Sequence, residues 1–149
     1  MKIRISVSRE KYDAVKEYLE ARGVEIGDDA EYLITEASGY PDFLSVRSEK
    51  RERMNLTVNE VLFIEAFGKD IEVHTDGDTY YAQERMYQLE RILDPKEFIR
   101  VSKSVIVSRR NVKRIRPMLS KKFVLILTNG TKVDVTKKYY DGFRRFFNI

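Results

Sequence analysis

Short segments of alternating apolar character, joined by tight turns, limit the folds open to this chain more than any other feature. The clearest case is FVLILTNGTKVDV, in which residues 123–127 and 132–135 flank Thr128, Asn129 and Gly130. Asn-Gly between two such segments is a strong β-hairpin signal, because both turn residues adopt positive φ. The sequence therefore predicts an antiparallel pair of strands at this point.

The middle of the chain has the same character. Residues 60–66 and 71–75 flank FGKD, a short connection that contains glycine, and DGD at residues 76–78 marks another turn. Apolar residues at helical spacing predict one short helix over residues 85–93 and another over residues 139–147. We therefore expect a mainly β fold with small helices, of the α+β class.

The N-terminal part predicts a β-α-β segment. Residues 1–6 alternate as a half-buried strand does, and residues 9–22 place apolar side chains at helical spacing. Ser8 is a suitable N-cap for that helix, because a serine oxygen can accept a hydrogen bond from the first turn. Residues 31–36 predict a second strand, and residues 37–42, ASGYPD, predict a loop or linker.

Charge is distributed unevenly along the chain. Residues 1–45 and 46–99 each carry a net charge of −4, whereas residues 100–149 hold 14 basic side chains and two acids, a net charge of +12. Such an asymmetry points to a polyanionic partner for the last third of the chain. A membrane surface is disfavoured because no long basic amphipathic helix accompanies the charge.

Catalytic and metal-binding patterns are not evident. His74 is the only histidine and cysteine is absent, so the sequence disfavours a zinc site. Asp70, Asp76 and Asp78 lack the spacing of a calcium loop and fit turns better. No glycine-rich phosphate loop or nucleophile motif is present. We expect no enzyme activity, no cofactor, no metal and no small-molecule substrate.

A lysine interrupts the alternation within FIRVSKSVIVS. Ile99, Val101, Val105 and Val107 share one parity, and Lys103 occupies the position where another apolar residue would complete that face. Because lysine is rarely buried, the chain is expected to bulge or turn near residues 102–104 and to expose Lys103. Lysine, arginine and serine side chains there would suit the oxygens of phosphate groups.

Three blocks together resemble a known family. EVLFIEAFGKDIEVHT, then FIRVSKSVIVS followed by NVKRI, then NGTKVDVTKKY occur in the order and at the spacing of the LytTR DNA-binding domain of bacterial transcription regulators. The resemblance covers residues 44–149. It implies an elongated, mostly antiparallel β domain that binds DNA through loops entering successive major grooves. Ser102 and Ser108 stand where the family often has histidine and asparagine.

The resemblance also implies which side chains contact DNA. Family base contacts come from the turn after the E-A strand, from the residue before the second serine of RVSKS and from the segment after the last strand. These positions correspond here to Lys69 with Asp70, to Lys103 and to Lys138. Lysine can donate to guanine O6 and N7 in the major groove. Candidate phosphate contacts are basic or hydroxyl side chains, namely Arg100, Ser102, Ser104, Arg109, Arg110, Lys121, Lys122 and Lys137.

Residues 1–43 stand ahead of the part that resembles the family. A receiver domain of about 120 residues does not fit into them, so no phosphoacceptor aspartate is assigned. The β-α-β segment is a candidate dimerisation element, because repeated half-sites favour linked domains. The alternatives are an extension of the sheet, the binding of a partner and a structural cap on a sheet edge.

The sequence thus predicts a cytoplasmic, homodimeric bacterial regulator that binds double-stranded DNA and performs no catalysis. A non-enzymatic protein-interaction module with a basic face is the main alternative. An RNA-binding domain is less favoured, since paired aromatic strand motifs are lacking.

Overall fold

The computed structural model describes residues 1–36 and 39–149. It divides into two compact units, Met1–Gly39 and Tyr40–Ile149. The predicted linker over residues 37–42 begins with Ala37 and Ser38, which lie outside the described residues. None of the helices in the described ranges has the length and apolar character needed to cross a bilayer.

The first unit is a small parallel sheet with one helix. Its elements are β1 (Lys2–Ser6), α1 (Arg9–Glu20), β2 (Glu25–Ile26) and β3 (Tyr32–Thr35), and the strand order is β2-β1-β3. Both neighbours pair with β1 in parallel. The β-α-β prediction is confirmed. The extra strand β2 has only two residues, too few for an alternation to reveal it.

The start of α1 differs from the expectation. Ser8 stands at the N-cap, but its hydroxyl makes no capping hydrogen bond within the described part of the chain. Instead a Glu36 carboxylate oxygen accepts the Ser8 backbone N–H, and Lys11 Nζ lies 3.5 Å from the other Glu36 oxygen. The hydrogen bond from Ser8 lowers the pKa of Glu36, and Lys11 lowers it further.

The second unit contains ten strands in two antiparallel sheets. One sheet has the order β5-β4-β8-β7-β6-β10-β9 and the other the order β11-β12-β13. Two short helices accompany them. The elements are β4 (Phe43–Arg47), β5 (Arg53–Thr57), β6 (Phe63–Phe67), β7 (Asp70–His74), β8 (Thr79–Ala82), α2 (Met86–Ile92), β9 (Phe98–Ser102), β10 (Val105–Ser108), β11 (Val112–Met118), β12 (Lys122–Leu127), β13 (Lys132–Val135) and α3 (Tyr140–Phe147). The mainly β fold with small helices is confirmed.

Two apolar cores hold this unit together. The first packs α2 against the seven-stranded sheet and includes Leu89 and Ile106. The second packs the seven-stranded sheet against the three-stranded sheet and α3, and includes Val107, Leu125 and Phe143. Strand β10 contributes to both cores, and all four of its residues are buried.

The alternation predicted around β10 is therefore only partly correct. Val101, Val105 and Val107 are buried as expected, but Ser108 on the opposite parity is also buried, at 3% exposure. Its hydroxyl accepts a hydrogen bond from Asn111 Nδ2 at 3.2 Å. A strand covered on both faces does not show a polar side, so parity alone misassigns Ser108.

The β12–β13 hairpin is present, but its turn differs from the predicted one. Gly130 has φ +87, while Asn129 is not among the residues with positive φ. The Leu127 N–H donates to the Thr131 carbonyl at 2.9 Å, so the loop is longer than a two-residue Asn-Gly turn. Hairpins of this longer class need positive φ only at the glycine.

Candidate nucleic-acid interface

The register of the large sheet brings two turns to one end. Strands β6 and β10 are antiparallel, with Phe63 opposite Val107 and Glu65 opposite Val105. The end of β6 and the start of β10 therefore adjoin, and the Ala66 N–H donates to the Ser104 carbonyl at 2.8 Å. The turn at residues 68–69 and the turn at residues 103–104 consequently lie at the same end of the sheet.

The β11-β12-β13 sheet adds two more segments to that end. The Thr136 N–H, directly after β13, donates to the Val101 carbonyl near the end of β9 at 3.0 Å. Phe123 at the start of β12 lies opposite Val135 at the end of β13. Residues 119–121, which precede β12, thus lie beside residues 136–138. We call residues 68–69, 103–104, 119–122 and 136–138 the basic end.

The side chains predicted to contact bases are all exposed there. Lys69 occupies a two-residue turn between Phe67 and Asp70, which pair with each other. Lys103 and Ser104 form the turn between β9 and β10, and a register shift follows it between Val105 and Ile106. The predicted turn and the exposure of Lys103 are confirmed.

Lys103 and Lys138 line a common cleft. Its volume is about 650 Å³. The other lining residues are Arg100, Ser102, Ser104, Thr136 and Tyr139. The Lys138 ammonium lies 5.7 Å from the centre of the Tyr139 ring. Two ammonium groups and four hydroxyl-bearing side chains beside one cleft give a surface with hydrogen-bond donors for an anionic ligand.

Arg100 is already engaged within the protein. Its Nε donates to the Ser102 carbonyl at 3.2 Å, and its Nη2 donates to the Lys103 carbonyl. Its Nη1 lies 3.2 Å from a Glu90 carboxylate oxygen on α2. The guanidinium therefore joins the Lys103 turn to α2, and its side chain is only 17% exposed.

The two serines of this turn also interact locally. The Ser104 N–H donates to the Ser102 hydroxyl at 3.3 Å, and the two hydroxyl oxygens lie 3.5 Å apart. Both side chains are half-buried. Like Arg100, these two candidate phosphate contacts help to shape the turn that carries Lys103.

Three further candidates belong to the basic end. Lys121, Lys122 and Lys137 are exposed. Lys121 has φ +55, because the β11–β12 turn places Ser120 and Lys121 in the left-handed region. Leu119 at the same turn is 90% exposed.

Arg109 and Arg110 lie at the opposite end of β10. Strand β10 separates them from Lys103 by roughly 15–20 Å at about 3.3 Å per residue. The Arg109 guanidinium lies 5.3 Å from the ring centre of Phe146 on α3, and Arg110 Nη2 lies 3.9 Å from a Glu97 carboxylate oxygen. The structure therefore brings ten of the twelve predicted site residues to one end and leaves these two at the other.

Sequence patterns missed a fifth segment near the basic end. Arg47 pairs with Tyr81, so the β4–β5 turn lies at the end of the sheet that also carries Asp70. Arg51 of that turn lines a groove together with Asp70 and Tyr81. Burial raises the pKa of Tyr81, and nearby carboxylates, chiefly that of Glu49, raise it further. The three basic residues in SEKRER, residues 48–53, are the sequence signal that could have identified this turn as part of the basic surface.

The second unit is thus a mainly β domain that presents exposed lysines at one end, a surface suited to a polyanionic partner such as nucleic acid. Comparison with known proteins gives the family. Residues 51–148 match the family model of the LytTr DNA-binding domain. The chain belongs to the LytTR DNA-binding domain family.

Bacterial regulators are among its relatives. The transcriptional regulatory protein LytR of Staphylococcus aureus is 29% identical over 72 residues, which are 48% of this chain and 29% of LytR. The sensory transduction protein LytT of Bacillus subtilis is 27% identical over 79 residues, 53% of this chain and 33% of LytT. The chain thus spans about a third of the length of these relatives.

A solved structure shares the fold. The LytTr DNA-binding domain of a putative methyl-accepting/DNA response regulator from Bacillus cereus superposes with a TM-score of 0.69 at 24% identity. The match covers 73% of this chain and 99% of that domain.

Proposed function

We propose that this chain is a bacterial transcription regulator that binds specific double-stranded DNA through the basic end. The observation that carries the proposal is the strand register, which brings three exposed lysines to one end of the second unit, Lys69 and Lys103 on turns and Lys138 on the short 3-10 helix Lys137–Tyr139. Turns that project from one end of a sheet can enter the major groove, whose base edges distinguish all four base pairs.

The lysines take two roles in this proposal. Lys69, Lys103 and Lys138 donate to guanine O6 and N7, while Asp70 beside Lys69 accepts from cytosine N4. Lys121, Lys122 and Lys137 contact phosphate oxygens on either side, since contacts to phosphates position a protein without reading sequence. Arg109 and Arg110 contact a more distant phosphate on a duplex that runs along β10.

Arg100, Ser102 and Ser104 contribute mainly through the shape of the turn. Three donors of the Arg100 fork point at protein oxygens. In the proposed complex Arg100 therefore holds the Lys103 turn in the conformation that presents its ammonium group. A serine hydroxyl of this turn can donate its O–H to a phosphate oxygen of the duplex, directly or through a water.

The first unit acts in this proposal as a dimerisation element in the cytoplasm, where the bacterial chromosome lies. Strand β3 forms one edge of its sheet, and Tyr32 and Leu33 on that strand are 57% and 49% exposed. An open edge with exposed apolar side chains favours pairing with a second copy. Two linked DNA-binding domains would gain affinity on repeated half-sites. The regulator carries out no catalytic step.

Selection of bound duplexes from a random library tests the function. The full chain should enrich a defined DNA sequence. Lys103→Ala should lose about 1–3 kcal/mol of its discrimination at one base pair of that sequence, while its discrimination at the other base pairs changes little. Lys96→Ala is the matched control, because Lys96 is exposed and lies next to Glu97 at the other end of the domain. A library without any enriched duplex would favour an interaction module for acidic proteins instead.

A further inference from the structure

Two glutamates and the single histidine of the chain converge on one face of the large sheet. Glu65 on β6 lies directly opposite Glu72 on β7. His74 follows two residues later on β7, so its side chain points to the same face as Glu72. One ligand atom from each of the three residues lies within 4.8 Å of the other two.

The two carboxylates face each other without a basic partner. Like charges directly opposite on neighbouring strands are destabilising. Within residues 1–36 and 39–149, neither Glu65 nor Glu72 forms an ion pair with a lysine or arginine. Glu72 is only 22% exposed, so water screens its charge incompletely. A bound cation would relieve this repulsion.

The histidine ring is held with one nitrogen directed at the glutamates. His74 Nδ1 lies 3.2 Å from the Thr79 hydroxyl, and the ring stacks on Phe63 with centroids 4.3 Å apart and an interplanar angle of 9°. His74 Nε2 lies 3.2 Å from a Glu72 carboxylate oxygen. Without a cation, Nε2–H donates to Glu72. With a cation bound, the proton would lie on Nδ1 and be donated to Thr79, so that Nε2 presents its lone pair to the ion, as metal-bound histidines do.

We propose that Glu65, Glu72 and His74 bind a divalent transition-metal ion of the zinc class, with water completing its coordination. Ligand atoms around a tetrahedral zinc lie about 3.3 Å apart, and the Glu72–His74 pair already has that spacing. Rotation of the Glu65 side chain would bring the third oxygen to the same distance. An imidazole nitrogen among two carboxylates selects zinc-class ions over magnesium and calcium.

This proposal reverses the expectation drawn from the sequence, where one histidine and no cysteine disfavoured a metal. Antiparallel pairing of β6 with β7 brings Glu65 next to Glu72, seven residues later in the sequence, and so adds a third ligand to Glu72 and His74. The ion would join β6 to β7 immediately before the turn that carries Lys69. It would also offset two negative charges on the sheet that carries the basic end.

Titration of the untagged full chain with zinc chloride, followed by NMR of the histidine ring, tests the site. Because the chain has one histidine and no cysteine, the His74 ring signals report on this site alone. We expect a 1:1 complex, a shift of the His74 signals and a raised melting temperature. Magnesium chloride should produce none of these at the same concentration.

Two charge-matched variants decide the assignment. Glu65→Gln should weaken zinc binding at least tenfold, because a neutral amide is a poor zinc ligand. Its fold should persist, since the like-charge pair is removed. Glu52→Gln removes the same charge at an exposed position outside the cluster and should bind zinc as the parent does. Absence of binding at millimolar zinc, or equal binding by Glu65→Gln, would overturn the proposal.

Discussion

A single arginine connects the candidate interface to the rest of the domain. Arg100 donates to two carbonyls of the turn that carries Lys103 and pairs with Glu90 on α2. Because the guanidinium is planar, it can hold several acceptors at fixed angles, which the single ammonium of lysine does not. Arg100 is therefore expected to act on DNA binding through the geometry of the turn.

Substitution of Arg100 by lysine separates this role from a phosphate contact. Arg100→Lys retains the charge but loses the fork, so DNA affinity should fall about tenfold, roughly 1.4 kcal/mol, and the salt dependence should stay unchanged. If Arg100 contacts a phosphate instead, Arg100→Lys should bind nearly as the parent does. In that case Arg100→Ala should make the slope of log K against log salt shallower by about 0.9. Affinity measured over a salt series distinguishes the two results.

At the residue scale the sequence was informative where a side chain violated its local pattern. Lys103 interrupted an apolar parity, and the structure places it in a turn. Arg100 fits the local strand pattern, so the sequence gives no sign of its role. Its acceptors at Ser102 and Lys103 are backbone carbonyls, which every residue type has. The three ligands of the proposed metal site were equally hidden, since two strands supply them.

Among the elements, β10 contributes residues to both cores, as its neighbours β6 and β9 also do. Ile106 is 1% exposed in the first core, while Val107 is fully buried in the second. The alternation of residues in the sequence predicts the β10 residues of the second core. The burial of the other face of β10, which packs in the first core, depends on α2 and on strands distant in sequence. Turns were predicted more reliably than faces, because glycine and asparagine act locally, as Gly68 and Gly130 show.

Truncation of Ile106 should therefore destabilise the whole second unit. Ile106→Ala is expected to cost about 2–5 kcal/mol, and Ile106→Val about 0.5–1.5 kcal/mol. Because β10 joins the two cores, both should unfold in one transition. Urea unfolding, followed by fluorescence of the tyrosines and by circular dichroism, measures the cost. Separate transitions of the two sheets in Ile106→Ala would contradict the shared role of β10.

The first unit should respond to acid through Glu36. Its folded-state pKa lies below the ordinary value of 4.5 because it accepts the Ser8 N–H and lies beside Lys11. A carboxylate with a lowered pKa stabilises the folded state above its unfolded pKa, and this contribution is lost as pH falls through the folded pKa. The protection factors of the α1 amides against exchange should therefore fall below about pH 4.5 in the parent. Glu36→Gln should lower these protection factors at neutral pH and make them depend less on acid; an unchanged profile would contradict this role.

At the scale of the whole molecule, the basic side chains are concentrated in the last third of the sequence. The fold brings part of them together at one end of the second unit. The net charge of +12 in residues 100–149 was evident from the sequence. Its spatial distribution was not, because Arg109 and Arg110 follow Lys103 closely in sequence but lie at the far end of β10. Lys69, from a segment with net negative charge, joins the basic end through the β6–β10 register.

Backbone amide NMR of the full chain, titrated with its selected duplex, tests most directly whether the basic end is the DNA-binding surface. We predict that the largest chemical-shift changes fall on residues 68–70, 103–104, 119–122 and 136–138. Amides of residues 76–78 and 128–131, in turns at the opposite end, should change less, because only the more distant phosphate contact of Arg109 and Arg110 lies near them. Changes concentrated on those distant turns, with the lysine turns unaffected, would contradict the account.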